Sequence, residues 1–195
     1  DDIESINGQG SAPKSKDATR IAMRNLWDTI SAIPSPCTRT LPFVDLWSVL
    51  HKPIRVFVSP PAHWFTNAQV LGVDWEGQPR AIVQIACASG VYIDKANAPT
   101  ALSILNDSKH VHCVFGEHEM HLVANPTNLQ LNPKQSLAEL ASITLYPTTR
   151  LQKDKSIHYR TDWTSRNLSD EATRYAALDA ELTRRVGVRI GVRIC

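Results

Sequence analysis

The sequence has no run of about 18 apolar residues, which excludes an ordinary transmembrane helix. It has no CxxC pair. Cys37, Cys87, Cys113 and Cys195 lie far apart, which argues against a zinc ribbon. It has no excess of either charge: 21 Lys and Arg stand against 19 Asp and Glu, a net of +2. A uniformly basic nucleic-acid coat is thereby excluded, while a local basic groove is not. No charged segment followed by an apolar one opens the chain as given. The expectation is an intracellular protein, nuclear or cytoplasmic, with reduced cysteines rather than disulfides. What is present suits a folded domain: 195 residues, 43% hydrophobic and 21% charged. That length fits one domain, or one domain with an arm, and rules against wholesale disorder.

The near-neutral total conceals an asymmetry. Residues 150–195 carry ten Lys and Arg against six Asp and Glu, a net of +4, and residues 1–149 carry eleven against thirteen, a net of −2. Residues 1–19 are polar and aperiodic and read as a flexible arm. Residues 20–67 read as a helical extension. In it, Ile21, Met23, Leu26, Trp27, Ile30 and Ile33 fall at helical spacing before Pro34 and Pro36. A helical turn is expected over Phe43–Leu50 and a strand over Ile54–Val58.

Residues 68–195 hold the strongest signals. Val70–Val73, Ala81–Ala88 and Val91–Ile93 are short apolar runs joined by tight turns, which predicts an antiparallel meander. Pro99 opens a short helix, and His110–Phe115 is a fourth strand. Ser136 and Glu139 form a capping box ahead of Leu137, Leu140 and Ala141. Ser169 is an N-cap with Asp170 and Glu171 behind it, Arg184 and Arg185 close that helix, and Gly187 is the expected stop. The closing VGVRIGVRIC reads as a final strand or a frayed tail. The fold class is α/β, a mixed sheet flanked by helices.

Three acidic sites stand out. Asp74 and Glu76 alternate along a strand, so they share a face, with Trp75 opposite and expected in the core. Two adjacent carboxylates repel, and a cation is the usual remedy, although a polar strand end has the same pattern. Tyr175 and Asp179 are four apart on a helix whose interleaved alanines make a thin face, suited to close approach to a sheet. Glu117 and Glu119 follow the fourth strand.

Together these sites resemble the DEDD family of 3′–5′ exonucleases, in the tyrosine subgroup that includes ribonuclease D and the Werner-syndrome exonuclease domain. The resemblance runs over roughly residues 68–187. VLGVDWE is similar to the first motif, and the stretch with Trp163, Arg166, Leu168-Ser169 and Tyr175 through Ala180 is similar to the third. It implies a ribonuclease H-like fold with a mixed, five-stranded-type sheet. It also implies metal-dependent 3′–5′ hydrolysis of RNA or DNA by two Mg²⁺ or Mn²⁺ ions, with Asp74, Glu76 and Asp179 as metal ligands. Tyr175 would orient the attacking water, since a phenol of pKa about 10 is a poor base. The second motif departs from the family pattern. Its plausible acid is Glu119, with Glu117 second, and LVANPTNLQL stands where a longer helix and strand are usual.

Two readings follow. One is an active exonuclease using Asp74, Glu76, Glu119, Tyr175 and Asp179. The other is a degenerate exonuclease fold that binds nucleic acid, a partner protein or a second copy of itself without cutting. Lys153, Lys155, Arg160 and Arg166 lie in a basic run, either a solvated loop or a set of phosphate contacts. His110, His112, His118 and His121 cluster without a matching Cys or acid pattern for zinc, and His118 is placed near the carboxylates.

Overall fold

The computed structural model describes residues 43–45, 56–57, 63–147, 149–165 and 167–192. The expected arm, the Arg20–Ile33 helix, Arg166 and residues 193–195 lie outside them. The described strands are β1 (Phe43–Asp45), β2 (Val56–Phe57), β3 (Val70–Glu76), β4 (Ile82–Cys87), β5 (Gly90–Lys95), β6 (Val111–Val114), β7 (Pro126–Asn128) and β8 (Arg150–Gln152). The helices are α1 (His63–Thr66), α2 (Pro99–Leu105), α3 (Leu137–Leu145), α4 (Ser156–Arg160) and α5 (Asp170–Arg189), with a 3₁₀ segment over Glu117–Leu122.

Six strands form one sheet in the order β2-β5-β4-β3-β6-β7. The meander β3-β4-β5 is antiparallel, and β6 and β7 add in parallel beside β3. This five-strand core is the mixed sheet expected from the sequence, with the short β2 pairing in parallel at the β5 edge. Every residue of β4 is buried, because both faces of the sheet are covered. On one face α2 packs through Ala101 and Leu105 against Leu71, Val73, Val83 and Ile85. On the other, the alanine face of α5 lies on Ile82, Ala86 and Val91, and α3 joins it near Leu182 and Val186.

The thin helix face works as its sequence predicts. Ala176, Ala177 and Ala180 are wholly buried. The strand beneath is equally bare: a Cβ on Gly72 would lie 2.0 Å from the Ala180 carbonyl oxygen and 2.4 Å from the Arg184 amide. Glycine at β3 and alanine on α5 therefore let the two backbones touch, and that contact brings the acids of both elements together.

Several local expectations are corrected. Phe43–Asp45 is a strand rather than a helical turn, since β8 pairs with it in parallel. Gly187 does not end α5, which continues to Arg189. A Cβ there would meet the Cys113 sulfur at 2.4 Å, so this glycine serves helix–sheet contact, and the left-handed residue after the helix is Gly191 (φ +80°). Arg184 and Arg185 accordingly lie before the last turn, and residues 186–189, the start of VGVRIGVRIC, are helix rather than a final strand or frayed tail. The segment after β6 is compact: one 3₁₀ stretch and the three-residue β7 replace a full helix and strand. Both capping predictions match: Ser136 and Glu139 bond reciprocally at the start of α3, and Ser169 accepts from the Ala172 amide at 3.1 Å.

Candidate active site

The site is assembled from the end of β3, the middle of α5 and the loop after β8. Asp74 and Glu76 project from the same face of β3, and Asp179 comes down from α5. One oxygen from each lies within 4.8 Å of the others. Gln84, the single amide in apolar β4, sits opposite Asp74. With its amide turned to satisfy both ends, its nitrogen donates to the Asp74 carbonyl at 3.0 Å. The three carboxylates line a cleft of about 1060 Å³, whose walls include Lys153, His158 and the start of α3.

The electrostatics of the cluster are those of excess negative charge. Burial raises the Asp74 carboxyl well above its ordinary range, and Asp179, Glu119 and Glu76 push it further. Burial raises Glu76 too, with Lys153 and His158 acting against it. Glu119, in the 3₁₀ segment, is pushed up to about 7, mainly by burial, with the charges of Asp179 and Glu76 adding. It is only 6% exposed, and its Oε2 is buried without a hydrogen-bond partner. Glu119 thus stands beside the cluster but outside its tightest trio. Its other oxygen lies 3.6 Å from His118, which sits by the carboxylates as expected. Glu117 is exposed.

A divalent cation fits these residues. The donors are all oxygen, they converge, and a buried carboxylate oxygen nearby lacks a partner.

Tyr175 is buried one helical turn before Asp179. Burial raises its phenol, so it stays protonated at neutral pH and acts as a hydrogen-bonding group rather than a base. Trp163 is 4% exposed, lies 6.1 Å from the Tyr175 ring centre to centre, and donates its indole N–H to the His158 carbonyl at 3.1 Å. It thereby clamps α4 over the site.

The basic run divides. Lys153 does not face solvent: its ammonium pairs with Asp179 and sits 3.3 Å above the centre of the Tyr175 ring. Lys155 is exposed, and Arg160 is exposed and paired with Glu171 at 2.6 Å. Trp75 is half-buried and packs on the α2 side, as its strand position predicts. His110 and His112 spend ring nitrogens on the carbonyls of Ala68 and Ile104, and neither joins a metal-competent group among the described residues. His158 escaped the sequence reading. Its Nδ1 lies 2.6 Å from Glu76 Oε2, but DKSIHYR has no spacing that marks it.

No family model and no curated protein matches the sequence. Solved structures do match. Escherichia coli RNase D, an exoribonuclease involved in structured RNA processing, superposes with a TM-score of 0.54 at 16% identity, over 71% of this chain and 45% of that one. The Aedes aegypti Nibbler EXO domain gives 0.51 at 16%, over 66% and 80%. Brucella melitensis NrnC bound to pGG gives 0.53 at 16%, over 72% and 82%. This chain therefore spans less than half the length of RNase D. The neighbours are DEDD 3′–5′ exonucleases, and the chain shares their ribonuclease H-like fold.

Proposed function

We propose that this chain is a metal-dependent 3′–5′ exonuclease acting on RNA or DNA, with its exonuclease domain over residues 68–195 following the extension at 20–67. The observation that carries the reading is the convergence of Asp74, Glu76 and Asp179 at one end of a cleft, beside a buried Glu119 oxygen without a partner. Asp74, Glu76 and Asp179 would hold Mg²⁺ or Mn²⁺, with Glu119 completing the set. Bound there, divalent ions supply charge stabilisation to the attacking and leaving oxygens of phosphodiester hydrolysis. The protein's own groups do the rest. Tyr175 keeps its proton and orients the attacking water through its hydroxyl. His158 and Trp163 fix Glu76 and the tyrosine from one side. Lys155, exposed at the mouth of the cleft, is placed to meet a phosphate.

The test is digestion of a 5′-labelled oligonucleotide with MgCl₂ or MnCl₂. A ladder shortening from the 3′ end is expected, and Asp74→Ala must abolish it. A ladder that persists in that variant would sink the proposal. A second reading rests on Glu119 and the abbreviated segment around it. A glutamate carries one more methylene than aspartate, and misplacing a reacting group by about an ångström can cost about 100-fold in rate. Under that reading the domain binds nucleic acid, a partner protein or a second copy without turnover. Gel-shift binding with no ladder would favour it.

A further inference from the structure

We propose that Lys153 is the resting-state cation of the carboxylate cluster, and that a divalent ion loads by displacing its ammonium. The inference rests on the metal-binding reading of Asp74, Glu76 and Asp179 and concerns how that site is filled.

A lysine so placed needs a reason. Its side chain is 13% exposed, and an unpaired ammonium in such a position is costly. Its contacts are those a cation in the cluster would make: an ion pair with Asp179 and the face of the Tyr175 ring. Glu76 feels the same charge. One positive side chain therefore offsets the mutual repulsion of carboxylates on two separate elements. It pairs with an oxygen of Asp179, one of the carboxylates that a divalent ion would also claim, so the two cations compete for that residue.

The local chain suits an exchange. Lys153 lies between β8 and α4, in a stretch that belongs to neither, and its flexible four-carbon stem can move without moving the sheet. On its other side is a second cavity of about 530 Å³, which Lys153 also lines. Asp170 and Glu171, in the first turn of α5, wall that cavity. Glu171 is already paired with Arg160 and Arg174 shares the wall, so Asp154 and Asp170 are the acids there that a displaced ammonium would meet. The swap leaves the site neutralised whether or not metal is bound, and it releases a positive charge beside the cleft when the metal arrives.

Two measurements on the intact chain test this, with MnCl₂ as the probe. The first is amine-reactive acetylation of the wild-type protein, read by peptide mass spectrometry, with exposed Lys155 as internal reference. Lys153 should react slowly in EDTA and several-fold faster in saturating MnCl₂, with Lys155 unchanged. The second is calorimetric titration of MnCl₂ into wild type and Lys153→Met. The variant should bind about tenfold tighter or more, because it lacks the competing charge. Uptake of Mn²⁺ with unchanged Lys153 labelling would overturn the proposal, as would equal or weaker binding by a folded variant. If Lys153→Met does not fold, the labelling of wild type decides alone. No Mn²⁺ uptake by either protein would instead overturn the metal-binding reading beneath it.

Discussion

Two of the carboxylates on helix α5, Asp179 and Glu181, stand two residues apart in opposite surroundings. Glu181 is fully provided for: Arg184 meets both of its oxygens at 2.8 and 2.9 Å, and Arg185 adds a third bond at 2.7 Å. All three residues belong to the same helix, so the pairing is local and complete. Asp179 has one ammonium and faces Asp74 and Glu76, with Glu119 close by. The first arrangement offsets the desolvation of an acid with two guanidinium groups. The second gathers acids faster than it supplies bases, which a fold maintains only where something else neutralises them. The difference separates an acid that holds the helix together from one available for chemistry.

The largest effect that would break this comparison comes from swapping each acid for its amide. Asp179→Asn should lower 3′–5′ hydrolysis by about 1,000-fold or more, since several kcal/mol of charge stabilisation depend on the cluster. Glu181→Gln should leave hydrolysis within about threefold, yet cost on the order of 2 kcal/mol in a urea unfolding titration, because it strips a mostly buried ion pair. A Glu181→Gln protein that is stable but inactive would erase the distinction.

A smaller effect comes from the contact that brings the two elements together. Gly72→Ala forces a Cβ into the α5 backbone, where no side chain can yield. Overpacking of this kind costs about 3 kcal/mol. It also lifts Asp179 away from Asp74, which should reduce turnover by about 100-fold. Gly191→Ala meets nothing within 4 Å and strains only its own left-handed backbone, so a loss of about 1 kcal/mol with activity intact is expected. Equal effects from the two glycines would show that close helix–strand approach does not position the site.

The same contrast explains what the sequence disclosed. Local signals were legible: the Ser136–Glu139 box spans one helical turn, Asp74 and Glu76 obey strand alternation, and Tyr175 and Asp179 obey helical spacing. Long-range ones were not. Lys153 reaches Asp179 across 26 positions, and His158 reaches Glu76 across 82. Their seats depend on how β8 and α4 lie across the sheet, which no window of sequence encodes. Gly187 misled because glycine is the usual helix stop, whereas here contact with Cys113 decides the residue. β1 misled because its partner β8 lies more than a hundred residues on, so pairing overrode local propensity.

The smallest effect probes the burial of an acid beside the cluster. In metal-free protein, Glu119 titrates at about 7 rather than near 4.5, chiefly because it is buried. An acid whose folded pKa is raised binds more protons folded than unfolded between the two values. Its stabilising contribution is therefore complete below about 4.5 and is lost as pH rises through about 7. His112 acts in the opposite sense: burial lowers it to about 4, so it opposes folding as pH falls through its ordinary value of 6.5. The useful window is pH 6.5–8, where the unfolded imidazole is at most half protonated and the larger change comes from Glu119. There, in EDTA, the urea midpoint of wild type should fall with pH, and that of Glu119→Gln should fall less. Adding MnCl₂ at pH 8 should reverse the loss, because the metal binds the deprotonated acids and so favours the folded state under the conditions that otherwise weaken it. A midpoint in EDTA that rises with pH across this window would mean that Glu119 is not buried and short of counter-charge beside Asp179, as the contrast with Glu181 requires.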